Sequence, residues 1–186
     1  MFVKEAHSPK IISWHQNLTH WGLDDAEEVT FWVAISEAPV EAGCMKFVPS
    51  SHKQRIVAHI DTFSENNLLS RGQEISVNVR EADAVHAALK VGQASMHHGH
   101  LFHASDPNTT YDRCIGTAIR CIKPAMRQED GTKSLFALVA GQDDYGHFEL
   151  AAPPKGRLHL DDFEICRQDA KRKHAILFKG ADASKM

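Results

Sequence analysis

Residues 29–48 read Val29-Thr30-Phe31-Trp32-Val33-Ala34-Ile35-Ser36-Glu37-Ala38-Pro39-Val40-Glu41-Ala42-Gly43-Cys44-Met45-Lys46-Phe47-Val48. Two runs rich in β-branched and aromatic residues, Val29 to Ser36 and Met45 to Val48, flank the turn-forming group Glu41-Ala42-Gly43, a pattern of short strands separated by a tight connection. The pattern recurs outward in both directions. Further candidate strands are Ile11 to Gln16, Ile75 to Val79, Ala88 to Val91, Ala94 to His97, Ile115 to Ile122 and Phe148 to Ala151. Pro49-Ser50-Ser51, Val91-Gly92-Gln93 and Ser105-Asp106-Pro107-Asn108 supply turns between them. Many short strands with turn signals predict a mainly β chain, a sandwich of jelly-roll type rather than parallel βαβ units. Helical signal is weaker. Asp61 to Arg71 opens on Asp-Thr, a pair suited to a cap, and Leu158 to Arg172 predicts a surface helix.

At 186 residues the chain has the length of one domain, 1–186. Residues 11–124 are expected to form the core, 125–170 an extension packed on it, and 171–186, basic and then small and polar, a flexible tail. The 21 Lys and Arg against 24 Asp and Glu give a net charge of −3, so there is no basic field of the kind that binds nucleic acid nonspecifically. No apolar run approaches the roughly 18 residues a membrane helix needs, and no membrane partner is expected. Cys44, Cys114, Cys121 and Cys166 are widely spaced, and the N-terminus lacks the basic-then-apolar pattern of a secretory leader. A reduced, cytoplasmic setting is the expectation. The unusual number is thirteen histidines, since imidazole is the commonest metal ligand.

Two constellations carry that signal. Ser13-Trp14-His15-Gln16-Asn17-Leu18-Thr19-His20-Trp21 places two histidines and two tryptophans at the end of a predicted strand. Side chains at i and i+2 of a strand share a face, so His15 and Asn17 are expected to approach one point while Gln16 faces the other side. Met96-His97-His98-Gly99-His100-Leu101-Phe102-His103 holds four histidines in seven residues. Imidazoles that dense repel when protonated, and a bound cation relieves the repulsion.

With these residues in view, the chain resembles the phytanoyl-CoA dioxygenase family of Fe(II)- and 2-oxoglutarate-dependent oxygenases. The likeness rests on the Trp14-His15-Gln16-Asn17 start, the strand Val29 to Ile35, the segment Gly43 to Lys53, and Leu101 to Asn108 followed by an Arg-containing strand. It extends over Ser13 to Pro124, and Asp144 to Glu149 resembles a C-terminal segment of some bacterial members. The resemblance implies a double-stranded β-helix, a cupin-like jelly roll with a few peripheral helices, holding Fe(II) by two histidines and a carboxylate, with open positions for 2-oxoglutarate and oxygen. By position the ligands would be His15, residue 17 and His103, with Trp21 and Thr30 beside the oxo-acid. A small organic or acyl molecule would be the substrate.

The chain departs from the family pattern at four points. Residue 17 is Asn17, whose neutral amide cannot offset the ferrous charge as a carboxylate does. The arginine expected to grip the distal carboxylate of 2-oxoglutarate falls at position 114, which is Cys114. Arg113 is the candidate substitute, but one residue of offset turns it to the opposite strand face unless a bulge near Tyr111 to Arg113 turns it back. Arg120 shares the face of position 114 but lies about 20 Å further along the strand. Ser50 stands where the family has glycine, and a left-handed backbone there would cost of order 1 kcal/mol. The chain also reads as N-terminally short, which would leave a sheet edge and part of the site uncovered. Two function classes follow: an oxygenase, or a catalytically impaired jelly-roll relative that binds a metal or small molecule. A zinc hydrolase on His97, His98, His100 and His103 lacks an evident general base.

Overall fold

Every second residue of the segment Glu28–Ala34 is buried (Glu28, Thr30, Trp32 and Ala34), and the three between are half-buried, the alternation of a strand whose two faces are unequally covered. The structure, a computed structural model, describes residues 1–181. Its first unit comprises Met1–Thr19 and Glu28–Cys121. The strands are β1 (Phe2–Lys4), β2 (Ile12–His15), β3 (Glu28–Ala34), β4 (Met45–Phe47), β5 (His59–Asp61), β6 (Gln73–Ile75), β7 (Val85–Ala87), β8 (Ala94–His98), β9 (His103–Ser105) and β10 (Cys114–Ile122).

Two four-stranded sheets result, in the orders β1-β10-β3-β8 and β2-β9-β4-β7. Strands distant in sequence become neighbours, and most consecutive strands change sheet, as in a jelly roll. The pairs β1–β10, β3–β8, β2–β9, β4–β9 and β4–β7 are antiparallel. Among the described residues neither sheet closes on itself. Between the sheets Trp32, Ala34, Ala38, Ala42, Cys44, Met45 and Cys114 form an apolar cluster. At roughly 25 cal/mol per Å² and about 200 Å² buried, the indole of Trp32 alone contributes on the order of 5 kcal/mol before entropy. A Cβ at Gly116 would stand 2.1 Å from Cζ2 of Trp32, so β10 lies against the ring only because residue 116 has no side chain.

Several local expectations shift. Asp61 to Arg71 forms no helix: β5 pairs with β6, the Thr62 hydroxyl donates to the Gly72 carbonyl at 2.6 Å, and the Arg71 guanidinium grips the Asp61 carboxylate. Those cross-links close a loop and outweigh a weak helical propensity. The strand expected at Ile75 to Val79 is Gln73–Ile75, and that expected at Ala88 to Val91 is Val85–Ala87, set by its register against Met45–Phe47. Ser50 does adopt a left-handed backbone, φ 67° and ψ 0°.

The second unit comprises His20–Glu27 and Ile122–Gly180. It holds a short parallel pair, β11 (Leu135–Phe136) and β12 (Glu149–Leu150), and the helix α1 (Leu160–Leu177). The His159 side chain caps α1 by accepting from the Asp161 N–H, and Asp161 and Asp162 complement the positive end of the helix dipole. Buried Asp169 accepts from the Leu135 N–H at 2.7 Å and pairs with Lys173 at 2.6 Å, tying α1 to β11. The helix runs past the expected Arg172 to Leu177, so the segment read as a tail begins as helix. Residues 182–186 lie outside the described residues.

Candidate metal centre

Between the two sheets of the first unit lies a cavity of about 680 Å³ of empty space, its open mouth included. His15 and His103 line it from one sheet, Thr30, His97, Cys114 and Arg120 from the other, and Asn17 and Lys4 also stand in its wall.

His15 closes β2 directly opposite His103 in the ladder to β9, and the two rings lie 4.0 Å apart, both buried. Each Nδ1 sits on a backbone carbonyl two residues earlier, Ser13 O at 2.9 Å and Leu101 O at 2.8 Å. A carbonyl can only accept, so each Nδ1 carries the proton and each Nε2 keeps its lone pair. That is the tautomer a metal-ligating histidine adopts, held by its second nitrogen. Burial, and next the neighbouring His103 ring, holds His15 well below the usual imidazole range. Burial and the nearby His97 bring His103 to about 3, and burial, His15 and Arg120 bring His97 to about 4. All three are neutral at physiological pH, as metal ligands must be.

Asn17 reaches the same cavity by a different route from the one strand geometry suggested. The strand stops at His15 and the chain turns into a 3-10 helix over Asn17–His20, with the Asn17 N–H donating to Gly99 O at 3.0 Å. The Thr30 hydroxyl donates to Glu28 Oε1 at 2.5 Å and therefore accepts from Asn17 Nδ2 at 3.0 Å. His97 Nε2 lies 3.5 Å from the same nitrogen. The amide orientation is thereby fixed: nitrogen to Thr30 and His97, oxygen left as a neutral donor. His97 Nδ1 and Glu28 Oε2 are buried without a hydrogen-bond partner. Burial raises the pKa of Glu28, with the Thr30 bond and Arg120 opposing it.

His15, Asn17, His103 and Thr30 are thus brought together. Arg113 is not: it is exposed, its N–H donates to Asp112 Oδ1 at 2.7 Å, and the strand starts only at Cys114, whose side chain takes the inward place. The offset of one residue is not corrected by a bulge. Trp21 belongs to the second unit. His98 and His100 pair with each other, rings 5.0 Å apart, while His97 faces the cavity, the alternation of a strand. Among the described residues no group of three or more His, Cys, Asp and Glu side chains is disposed to hold one ion, so the zinc reading has no site. Sequence reasoning missed Lys4, Glu28 and the place of His97, and it dismissed Arg120 on distance although the cavity extends along β10 to reach it.

A family model described as phytanoyl-CoA dioxygenase matches residues 1–114. A phytanoyl-CoA dioxygenase domain-containing protein 1 homolog of Caenorhabditis elegans is 31% identical over 117 residues, covering 55% of this chain and 38% of that protein. Among solved structures, the apo form of the non-heme monooxygenase ThoJ superposes with a TM-score of 0.83 at 29% identity, over 96% of this chain and 64% of that one. Its nickel complex gives 0.74 at 26%, over 96% and 63%. EvdO2 from Micromonospora carbonacea var. aurantiaca complexed with 2-oxoglutarate shares the fold, with TM-score 0.55 at 23% identity over 63% of this chain and 47% of that one. The chain therefore spans well under half the length of the curated relative and under two thirds of the solved ones.

Proposed function

The chain belongs to the phytanoyl-CoA dioxygenase family, and from that premise we propose that it is an oxidoreductase using Fe(II) and 2-oxoglutarate to hydroxylate a small organic or acyl substrate. The observation that carries this reading is the pair His15 and His103, rings 4.0 Å apart, each with Nδ1 pinned to a carbonyl and Nε2 left to donate. Two neutral imidazoles and an amide oxygen make a donor set that fits a borderline divalent ion. The residues that would hold it are His15, His103 and, as a weak third donor, Asn17.

Bound iron with 2-oxoglutarate supplies oxygen activation, coupled to decarboxylation of the oxo-acid to succinate. The chain's own residues do the rest. Ser13 O and Leu101 O fix the imidazole planes, Thr30 and Glu28 fix the Asn17 amide, and Trp32 and Met45 dry the cavity wall. The test is metal content and metal-dependent succinate formation from 2-oxoglutarate, with Asn17→Asp alongside. Metal uptake with succinate release supports the reading; a folded chain that retains no divalent metal refutes it.

A second reading, an impaired jelly roll that binds a metal or small molecule without turnover, is favoured by Asn17 and by the outward Arg113. Retained metal with no succinate, unrelieved by Asn17→Asp, selects it.

A further inference from the structure

β1 runs antiparallel to β10 with Lys4 directly opposite Cys114, the position at which the family's arginine was expected. Lys4 is only 5% exposed, and it lines the cavity. Its ammonium donates to three acceptors: the Gly43 carbonyl at 3.4 Å, the Ser105 hydroxyl and the Asp106 carbonyl. All three are neutral dipoles. The Asp106 carboxylate is held by Lys46 at 2.7 Å instead. A buried ammonium with no anion among its hydrogen-bond partners is uncommon, because desolvation is compensated only when an opposite charge comes close. Burial accordingly lowers Lys4 to about 8, with nearby Cys114 and Asp106 opposing the shift.

The surroundings are shaped around that charge. Gly43 has φ +70°, and a Cβ there would stand 2.1 Å from Asp106 O and 2.9 Å from Lys4 Nζ. Only glycine leaves room for the ammonium. The other cation of the cavity wall, Arg120, has Glu28 beside it as countercharge. Lys4, by contrast, has no anion among its hydrogen-bond partners, and the Asp106 carboxylate acts on it only from a distance.

We propose that Lys4 stands in for the missing arginine and receives the distal carboxylate of 2-oxoglutarate on the N–H that now makes only the long 3.4 Å contact to the Gly43 carbonyl. The inference rests on the function proposed above. The reach agrees: Ser105, a partner of Lys4, lies two residues from His103 on the same strand face, about 6.6 Å along. The ends of a five-carbon diacid, separated by four C–C bonds of about 1.5 Å, lie ~5 Å apart when extended. A cation donated by the neighbouring strand thus covers the place that Cys114 leaves uncharged.

The experiment compares 2-oxoglutarate with 2-oxopentanoate, which carries a methyl in place of the distal carboxylate. Binding of each to the Ni(II)-loaded full chain is measured by calorimetry for the unaltered protein, Lys4→Arg and Lys4→Met. The unaltered protein should prefer the diacid by about 10–100-fold, the range of a charge-assisted hydrogen bond, and Lys4→Arg should keep that preference. Lys4→Met should bind the two acids within about threefold of each other, the level left by contacts the ligands share. If Lys4→Met fails to fold, Lys4→Gln, whose amide can still donate to the enclosing carbonyls, takes its place with the same expected loss of preference. Equal binding of the two acids by the unaltered protein overturns the assignment of Lys4, as does full preference retained in Lys4→Met; both leave the cosubstrate reading standing. Ni(II) bound with neither acid taken up overturns the proposed function instead.

Discussion

Acidifying the metal-free chain should unfold it through the imidazoles of the cavity, and the size of the effect follows from where they sit. His97 is held at about 4 and His103 at about 3, by burial first and by neighbouring imidazole and guanidinium groups second. Both folded values lie below the ordinary 6.5, so the unfolded chain takes up these protons first. Stability from these groups is fully present above about pH 6.5 and is lost as the pH falls toward the folded values. Between pH ~7.5 and ~5.5 the folded imidazoles stay neutral, and the loss is set by the unfolded chain alone, about 1.4 kcal/mol each and roughly 3 kcal/mol for the two. His15, His59 and His100 are lowered as well and add in the same direction; Glu28 is raised and acts in the opposite one. The clean measurement is therefore a difference. Urea denaturation of the unaltered chain and of His97→Gln at both pH values should show the variant losing about 1.4 kcal/mol less on acidification, with an unchanged m-value. Equal losses in the two proteins would refute the claim that His97 is neutral and enclosed.

Ser50→Gly relieves a left-handed backbone at φ 67° and should raise stability by up to about 1 kcal/mol, read as an increase in melting temperature. Gly116→Ala drives a methyl to 2.1 Å from the Trp32 ring and should destabilise by at least 1–3 kcal/mol, visible in the same melt and in the near-ultraviolet signal of the indole. Asn17→Asp should change sign with metal. Metal-free, the introduced carboxylate faces the Thr30 oxygen and the His97 Nε2 that the amide nitrogen now serves, and it should lower stability by about 1–3 kcal/mol. With Ni(II) present it should bind the ion more than 10-fold tighter and melt above the unaltered chain.

The jelly roll was legible because its signals are local: the alternation through Val29 to Ser36 survives as the inward set Thr30, Trp32 and Ala34, and the turn at Glu41-Ala42-Gly43 does separate two strands of different sheets. His15 and His103 were legible only through the spacing of family segments, since their meeting is a contact across 88 residues that no period encodes. Asp61 to Arg71 was misread because the bonds that overrule its helical propensity come from Gly72 and Arg71 folding back, a nonlocal fact. Lys4 was invisible for a related reason. A lysine in a short strand is normally solvated, and nothing in Phe2-Val3-Lys4 states that Gly43, Ser105 and Asp106 will enclose its ammonium.

The two departures from the family pattern look like independent losses when read along the chain, but in space they balance. Asn17 leaves the histidine end of the cavity without a negative charge, and Cys114 leaves the β1 end without a positive one, so the net charge of the pair of positions is the same as with a carboxylate and an arginine. Two buried charges flank these positions: Glu28, linked to Asn17 through the Thr30 hydroxyl and set beside Arg120, and Lys4, opposite Cys114 with no anion among its hydrogen-bond partners. Electrostatic attraction falls with distance and with every intervening dipole, so the Glu28 carboxylate, set behind the Thr30 hydroxyl, acts on the cavity more weakly than a carboxylate at position 17 would. A single reversion therefore unbalances the cavity, whereas the chain as it stands keeps a carboxylate behind Asn17 and an ammonium opposite Cys114.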